Sequence, residues 1–332
     1  MKQPVAFVAA AALAVSIIAA VRAEQASPPG VAPAVRSLHV QGNVWMINAG
    51  TVNIAVQIGD QGVLLVDTGP EGLAEAVLAE VRRLAGDKPI RYIVNTHAHR
   101  DHTGGNVKIA KAGKSIISGN FAAQAAPGAA DAAKILAHEQ TQMRMQAEGA
   151  DAVPEAGWPT DTFFVAKDAF YFNGEAVELL HQPGAHTSGD IIVHFRKSDV
   201  IAAGDVYINT TFPVINREHG GSYAGILAAL NRIIDITVPR DKAEGGTYVI
   251  PGHGRLADEA DVVDYRDMAT IVRDRVRDAI GRKLSLDQVK AARLVRDYEG
   301  RFGAAQGSWT TDAFIEAAYR SLSPARPAAG AR

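Results

Sequence analysis

Thr96-His97-Ala98-His99-Arg100-Asp101-His102-Thr103-Gly104-Gly105 places four metal-ligand side chains in one short run. It follows directly on residues 92–95, a short apolar segment that predicts a strand. In a strand, side chains two apart point the same way, so His97 and His99 can share one ion where the strand ends. If the chain then turns, Asp101 and His102 project together toward a second position. Gly104 and Gly105 permit tight turning before the next helix. Neutral imidazole and carboxylate suit zinc and other divalent first-row metals. A solvated, His-rich loop is the competing reading, and four ligand types at this spacing disfavour it.

Three more ligand types follow downstream, each just after an apolar stretch. His186 lies in Gln182-Pro183-Gly184-Ala185-His186-Thr187-Ser188-Gly189-Asp190, Asp205 follows residues 200–204, and His253 sits in Val249-Ile250-Pro251-Gly252-His253-Gly254. Singly, each has a plain structural reading: His253 a turn residue, Asp205 a helix cap, His186 a surface-loop residue. Together they fit separate loops converging on one rim of a scaffold.

The surrounding pattern is strand-rich. Residues 44–47, 52–58 and 63–66 read as strands, with Gly59-Asp60-Gln61-Gly62 as a turn. Leu73, Val77, Val81 and Leu84 recur at helical spacing, which predicts a helix over 71–85. Residues 120–152 are Ala-rich and read as helical, taking in His138. Asn173-Gly174 predicts a hairpin joining 169–172 to 175–180. Residues 191–195, 200–203 and 248–250 read as strands, and Ser222 opens a helix with Ile226, Leu230 and Ile233 on one face. After Gly254 the chain turns mainly helical: 261–280 is the longest piece, Ser285 with Gln288 forms a capping box, and Thr311 caps 312–322. Two blocks of strands, each followed by helices, suit two sheets packed face to face with helices outside. His39 and His194 alternate with strand residues, His181 fits no ligand position, and His219 falls on a loop at the mouth. Trp158-Pro159 and Phe212-Pro213 are read as packing rather than lining that mouth.

The string from His97 to His102 resembles the HxHxDH signature of the metallo-β-lactamase-fold hydrolases. The order His186, Asp205, His253 is similar to that family, and Leu65-Val66-Asp67-Thr68-Gly69 resembles its first acidic motif. The resemblance spans roughly residues 44–254 and is specific as a set. It implies an α/β fold: a four-layered αβ/βα sandwich with metals at one edge of the sheets, here with a C-terminal helical extension. It implies two zinc ions, the first on His97, His99 and His186, the second on Asp101, His102 and His253, with Asp205 bridging. A bridging hydroxide would then cleave an ester, thioester or lactone-type carbonyl. Asp101 would orient it or pass a proton to the leaving group. Asp67 would accept a hydrogen bond from a ligand imidazole, with capping of the next helix as its alternative role.

Two departures bear on substrate. The β-lactamase branches carry Cys or Ser where Asp205 stands, and Val206-Tyr207-Ile208-Asn209-Thr210 offers no lysine for an antibiotic carboxylate. A bridging Asp resembles the glyoxalase-II-like hydrolases, yet the chain after Gly254 does not resemble their glutathione-binding end. The whole is most similar to exported, β-lactamase-like members. β-Lactam hydrolysis is the second reading, and a non-catalytic zinc-binding protein the third.

The chain has 332 residues, 47% of them hydrophobic, enough to bury a sizeable core as one large domain. Its formal net charge of -2, with no run of like charge, gives no basis for nucleic acid or an anionic membrane as partner. A small-molecule substrate is the partner expected. Cysteine is absent, so any metal is held by nitrogen and oxygen, and no disulfide supports the fold. Lys2, the apolar run 4–21 and Val21-Arg22-Ala23 predict a signal peptide over 1–23 and a periplasmic destination, a membrane anchor being the alternative. Residues 24–35 then read as a flexible leader, 36–256 as the metal-binding domain, 257–322 as a helical extension packed on it, and 323–332 as a disordered tail.

Overall fold

The computed structural model describes residues 35–115, 132–149, 153–242 and 245–324. The expected signal peptide, almost all of the leader and most of the tail lie outside the described residues. Two blocks of strands carry the fold. The first holds β1 (Arg36–Gln41), β2 (Val44–Ala49), β3 (Val52–Gly59), β4 (Gly62–Val66), β5 (Ile90–Val94), β6 (Lys134–His138) and β7 (Asp161–Phe163). Neighbours pair antiparallel from β1 to β4 and parallel from β4 to β7. The second holds β8 (Lys167–Phe172), β9 (Glu175–His181), β10 (Ile191–Phe195), β11 (Val200–Ile208) and β12 (Tyr248–His253), with the short β13 (Ala257–Asp258) on β12. The blocks join where Val52 of β3 pairs with His253 of β12.

Period-two alternation sends each strand's residues into two cores. Leu64 and Val66 of β4 share a central core with Val193, Phe195 and Ala202 of the second block. Val63 and Leu65 face outward onto Val77 and Val81 of α1 (Ala74–Ala85) and onto Ile109, beyond the short α2 (Arg100–Thr103), in α3 (Asn106–Ala112). The second block mirrors this. After α4 (Glu139–Glu148) come the helices α5 (Tyr223–Ile236), α6 (Glu259–Gly281), α7 (Leu286–Ala291), α8 (Glu299–Phe302) and α9 (Thr311–Leu322). Ile201 and Ala203 of β11 pack on Ile226 and Leu230 of α5, Val272 of α6 and Phe314 of α9. The result is the expected αβ/βα layering, with the C-terminal helices joined to the outer core of the second sheet. Each fully buried Leu, Ile or Val in these cores stabilises by about 1.5–3 kcal/mol.

Local signals set several boundaries as expected. Asn173 and Gly174 take φ of 51° and 82°, the left-handed pair a tight hairpin requires. Ser222 caps α5 by accepting from the Gly225 amide, and Ser285 with Gln288 closes a capping box on α7. Other expectations need correction. Residues 134–138 form a strand, not helix, and only Glu139–Glu148 of the Ala-rich stretch is helical among the described residues. Parallel pairing with β5 on one side and β7 on the other outweighs the helix propensity of alanine here. His138 therefore ends a strand and caps α4, accepting from the Gln140 amide. The cap of α9 is Thr310, one residue before the expected Thr311. Gly104 and Gly105 have ordinary helical dihedrals; a side chain at Gly104 would meet the Glu71 backbone at 2.5 Å, and one at Gly105 the Thr68 carbonyl at 2.6 Å. These glycines serve close packing rather than turning.

Candidate metal centre

Strand ends and short loops deliver the ligand-type residues to one edge of the sandwich. Asp67 follows β4 with φ of 66°, a left-handed conformation that Asp tolerates better than most residues. His97 and His99 follow β5, and α2 presents Asp101 and His102. The loop after β9 carries His186, and β12 ends in His253. In β11, Ala202 pairs with Ile250 and Gly204 with Pro251, leaving one residue over as a bulge beside Asp205. Gly204 sits at φ of 53°, and a side chain there would press on Thr96 at 2.7 Å.

All seven expected ligands meet there, in two groups around Asp205. His99 Nδ1 lies 3.0 Å from both His97 Nε2 and His186 Nε2. Asp205 Oδ2 stands 3.7 Å from His97 Nε2 and 3.6 Å from His186 Nε2. Its other oxygen, Oδ1, lies 3.1 Å from His102 Nε2 and 3.4 Å from His253 Nε2. Asp101 Oδ2 closes the second group, 3.3 Å from His253 Nε2 and 3.8 Å from His102 Nε2. Ligands on one tetrahedral zinc, at bonds near 2.0–2.1 Å, sit about 3.3 Å apart. The observed spacings bracket that value.

Hydrogen bonding outside the groups decides what their interior offers. His186 Nδ1 donates to the Val214 carbonyl at 2.8 Å, and His253 Nδ1 to the Thr51 carbonyl at 2.9 Å. A carbonyl only accepts, so each ring's proton lies outward and its inward nitrogen in the neutral form carries a bare lone pair. His102 Nδ1 likewise donates to Asp67 Oδ2 at 2.8 Å. Thr96 binds Asp67 twice, through its amide at 2.8 Å and its hydroxyl at 2.7 Å, and so leaves its oxygen to accept from His97 Nδ1 at 3.0 Å. Asn216 sets its side-chain amide 3.0 Å from the outer nitrogen of His99. Asp205 Oδ1 is buried with no hydrogen-bond partner. Converging lone pairs around an unpartnered carboxylate oxygen fit a bound metal cation.

The electrostatics differ between the two groups. Burial pushes His97 well below its usual range, helped by the neighbouring His102. Burial and the nearby His186 bring His99 down to about 4. In the second group burial opposes protonation, yet the carboxylates of Asp205 and Asp67 hold His102 well above its usual range. Asp101 and Asp205 likewise raise His253 to about 9 against the effect of burial. Asp205 itself, though buried, is held well below the carboxylate range by His102 and its imidazole neighbours.

Asp67 takes the position expected of it, holding a ligand ring from behind; the following 3₁₀ turn receives no side-chain cap. Three partners of the centre carried no motif. Thr96 stood in the quoted string without an assigned role. Asn216 lies in a loop with no repeating pattern. Trp309, far along the helical extension, lines the cleft above the cage. His219 places its ring 5.4 Å from that of His99 but does not line that cleft. Trp158 and Phe212 pack as expected, Trp158 donating to the Val153 carbonyl and Phe212 stacking on Phe314. His138 and His181 stack on each other at 3.6 Å, outside both groups.

Comparison with known proteins agrees with this arrangement. Residues 47–253 match the model of the metallo-beta-lactamase superfamily. Over 185 residues the chain is 28% identical to the 2,4-dinitroanisole O-demethylase subunit alpha of Nocardioides sp. (strain JS1661), a match spanning 55% of this chain and 50% of that protein. The chain thus spans about half the length of that curated relative. In structure it is similar to the stereoselective inverting sec-alkylsulfatase of Pseudomonas sp., with a TM-score of 0.63 at 14% identity, covering 86% of this chain and 50% of that one. It is also similar to a metallo-beta-lactamase from Pontibacter korlensis, with a TM-score of 0.51 at 17% identity, covering 71% of this chain and 99% of that one. From the residues of its cage to the layers that position them, the chain belongs to the metallo-beta-lactamase superfamily.

Proposed function

We propose that this member of the superfamily is a dinuclear zinc hydrolase that cleaves an ester, thioester or lactone-type carbonyl in the periplasm. The observation that carries the reading is Asp205, whose two oxygens are divided between two nitrogen-rich groups. Two zinc ions held there supply Lewis acidity and acidify water, so that a nucleophile exists at neutral pH. The chain's own residues supply orientation and proton handling. Asp67, Thr96, Val214 and Thr51 fix the ring planes of four ligands from behind, which holds the geometry before substrate arrives. Asp101, with a side chain 45% exposed, opens onto the cleft and is placed to carry a proton to the leaving group. Export rests on Lys2 and the apolar run that follows it.

The test is metal analysis of the purified chain together with a panel of esters, thioesters, lactones, a chromogenic β-lactam and 2,4-dinitroanisole, the compound in the relative's name. Two zinc ions per chain, with turnover of a carbonyl ester lost on chelation and restored by zinc, is the expected result. Metal binding without turnover of any member would make the chain a binding protein and end the hydrolase reading.

A further inference from the structure

The cleft over the cage has a volume of about 680 Å³. Beyond the ligands its lining includes the apolar Ile208, Val214 and Trp309 and the hydroxyl-bearing Thr51, Thr210, Thr211 and Ser308. Among the described residues no Lys or Arg lines it. Arg255, next in the chain to the cleft's Gly254, commits its guanidinium to Asp261. Trp309 belongs to the segment between α8 and α9, and its Nε1 donates to the Phe212 carbonyl at 3.2 Å, which fixes the ring. The helical extension thus supplies part of the cleft's wall.

We infer that this cleft selects substrates whose non-reacting part is an uncharged, apolar acyl or aryl group seated against Trp309, Ile208 and Val214. The inference rests on the hydrolase reading above and names its substrate class. A carboxylate, sulfate or phosphate on that group, held away from the metals by the reacting carbonyl, would lose water against this wall and find no Lys or Arg to replace it. An apolar group of the same shape gains by leaving water. Discrimination therefore appears in kcat/KM, through KM, and its sign is set by charge rather than by size.

The experiment compares two esters with the same reacting centre and similar length, 4-nitrophenyl hexanoate and 4-nitrophenyl hydrogen adipate, on the zinc-loaded full chain. The expected result is a preference of at least about tenfold in kcat/KM for the hexanoate. Val214→Lys should narrow or invert that ratio. Trp309→Ala should raise KM for the hexanoate, and Trp309→Phe should restore it, which a merely structural role for the indole would not do. Equal kcat/KM for the two esters, or a ratio that Val214→Lys leaves unmoved, overturns the inference. Calorimetry with the matching anilides needs no turnover and separates the two readings. Tighter binding of hexananilide than of the adipic monoanilide, with neither these esters nor any member of the wider panel hydrolysed, would refute the hydrolase and support the apolar cleft. Equal hydrolysis of both esters would refute the cleft alone.

Discussion

The two halves of the cage share one carboxylate yet hold protons in opposite ways. His97 and His99 are buried among other imidazoles, and their proton affinity falls, to about 4 for His99. His102 and His253 face the carboxylates of Asp67, Asp101 and Asp205, and theirs rises, to about 9 for His253. At neutral pH His97 and His99 therefore present bare nitrogens, while at His102 and His253 a cation must displace protons. The lesson is that residue type alone does not set a ligand's readiness: the same imidazole is poised or blocked according to what stands behind it.

Removing the shared group should have the largest effect. Asp205→Ala takes one oxygen from each half, and turnover is expected to fall on the order of a thousandfold with loss of stable metal from both. Metal content and kcat on the best ester check this; a variant that keeps two metals and full rate would dissolve the comparison. Next comes pH. Since a ligand in the second half stays protonated up to about 9, its metal affinity should rise as pH increases from 7 to 9. The gain is about tenfold per pH unit for each proton displaced, whereas His97 and His99 add no such dependence over that range. Chelator competition at several pH values would resolve two such slopes, and equal slopes would break the distinction.

Asp67→Asn should weaken metal binding in the second half by about 10–100-fold, read by the same competition. Equal weakening of both halves would show that Asp67 also acts on His97 through Thr96, which sharpens the comparison rather than ending it. Thr96→Val should have the smallest effect on metal. It leaves the His97 outer N–H without its acceptor and Asp67 with fewer donors, which costs about 1–3 kcal/mol of stability in a urea titration.

Much of this centre is legible in the sequence because its ligands sit at the ends of apolar strands, where local pattern and chemistry coincide. His97 to His102 and Asp205 are of that kind, and so are the apolar runs that became β3, β4 and β11. What was hidden depends on contacts between distant segments. Residues 134–138 look helical by composition and become a strand because β5 and β7 flank them. Asn216 and Trp309 reach the centre from segments whose local sequence carries no chemical signature, Asn216 held by its amide on the His186 carbonyl and Trp309 by packing on the core that α5, α6 and α9 share. Gly104 and Gly105 read as turn residues, but their backbone is ordinary helix and the need was proximity to Glu71 and Thr68, which only the folded chain reveals.

The joint between Val52 and His253 has a consequence of its own. His97 through His102 hang from one block of strands, and His186, Asp205 and His253 from the other, so any ion held by both straddles the seam. Such an ion works as a clasp, and the work of prying the blocks apart then includes evicting it. Resistance of this protein to unfolding would follow the free ion level of its surroundings, a dependence that oil-like packing alone never confers.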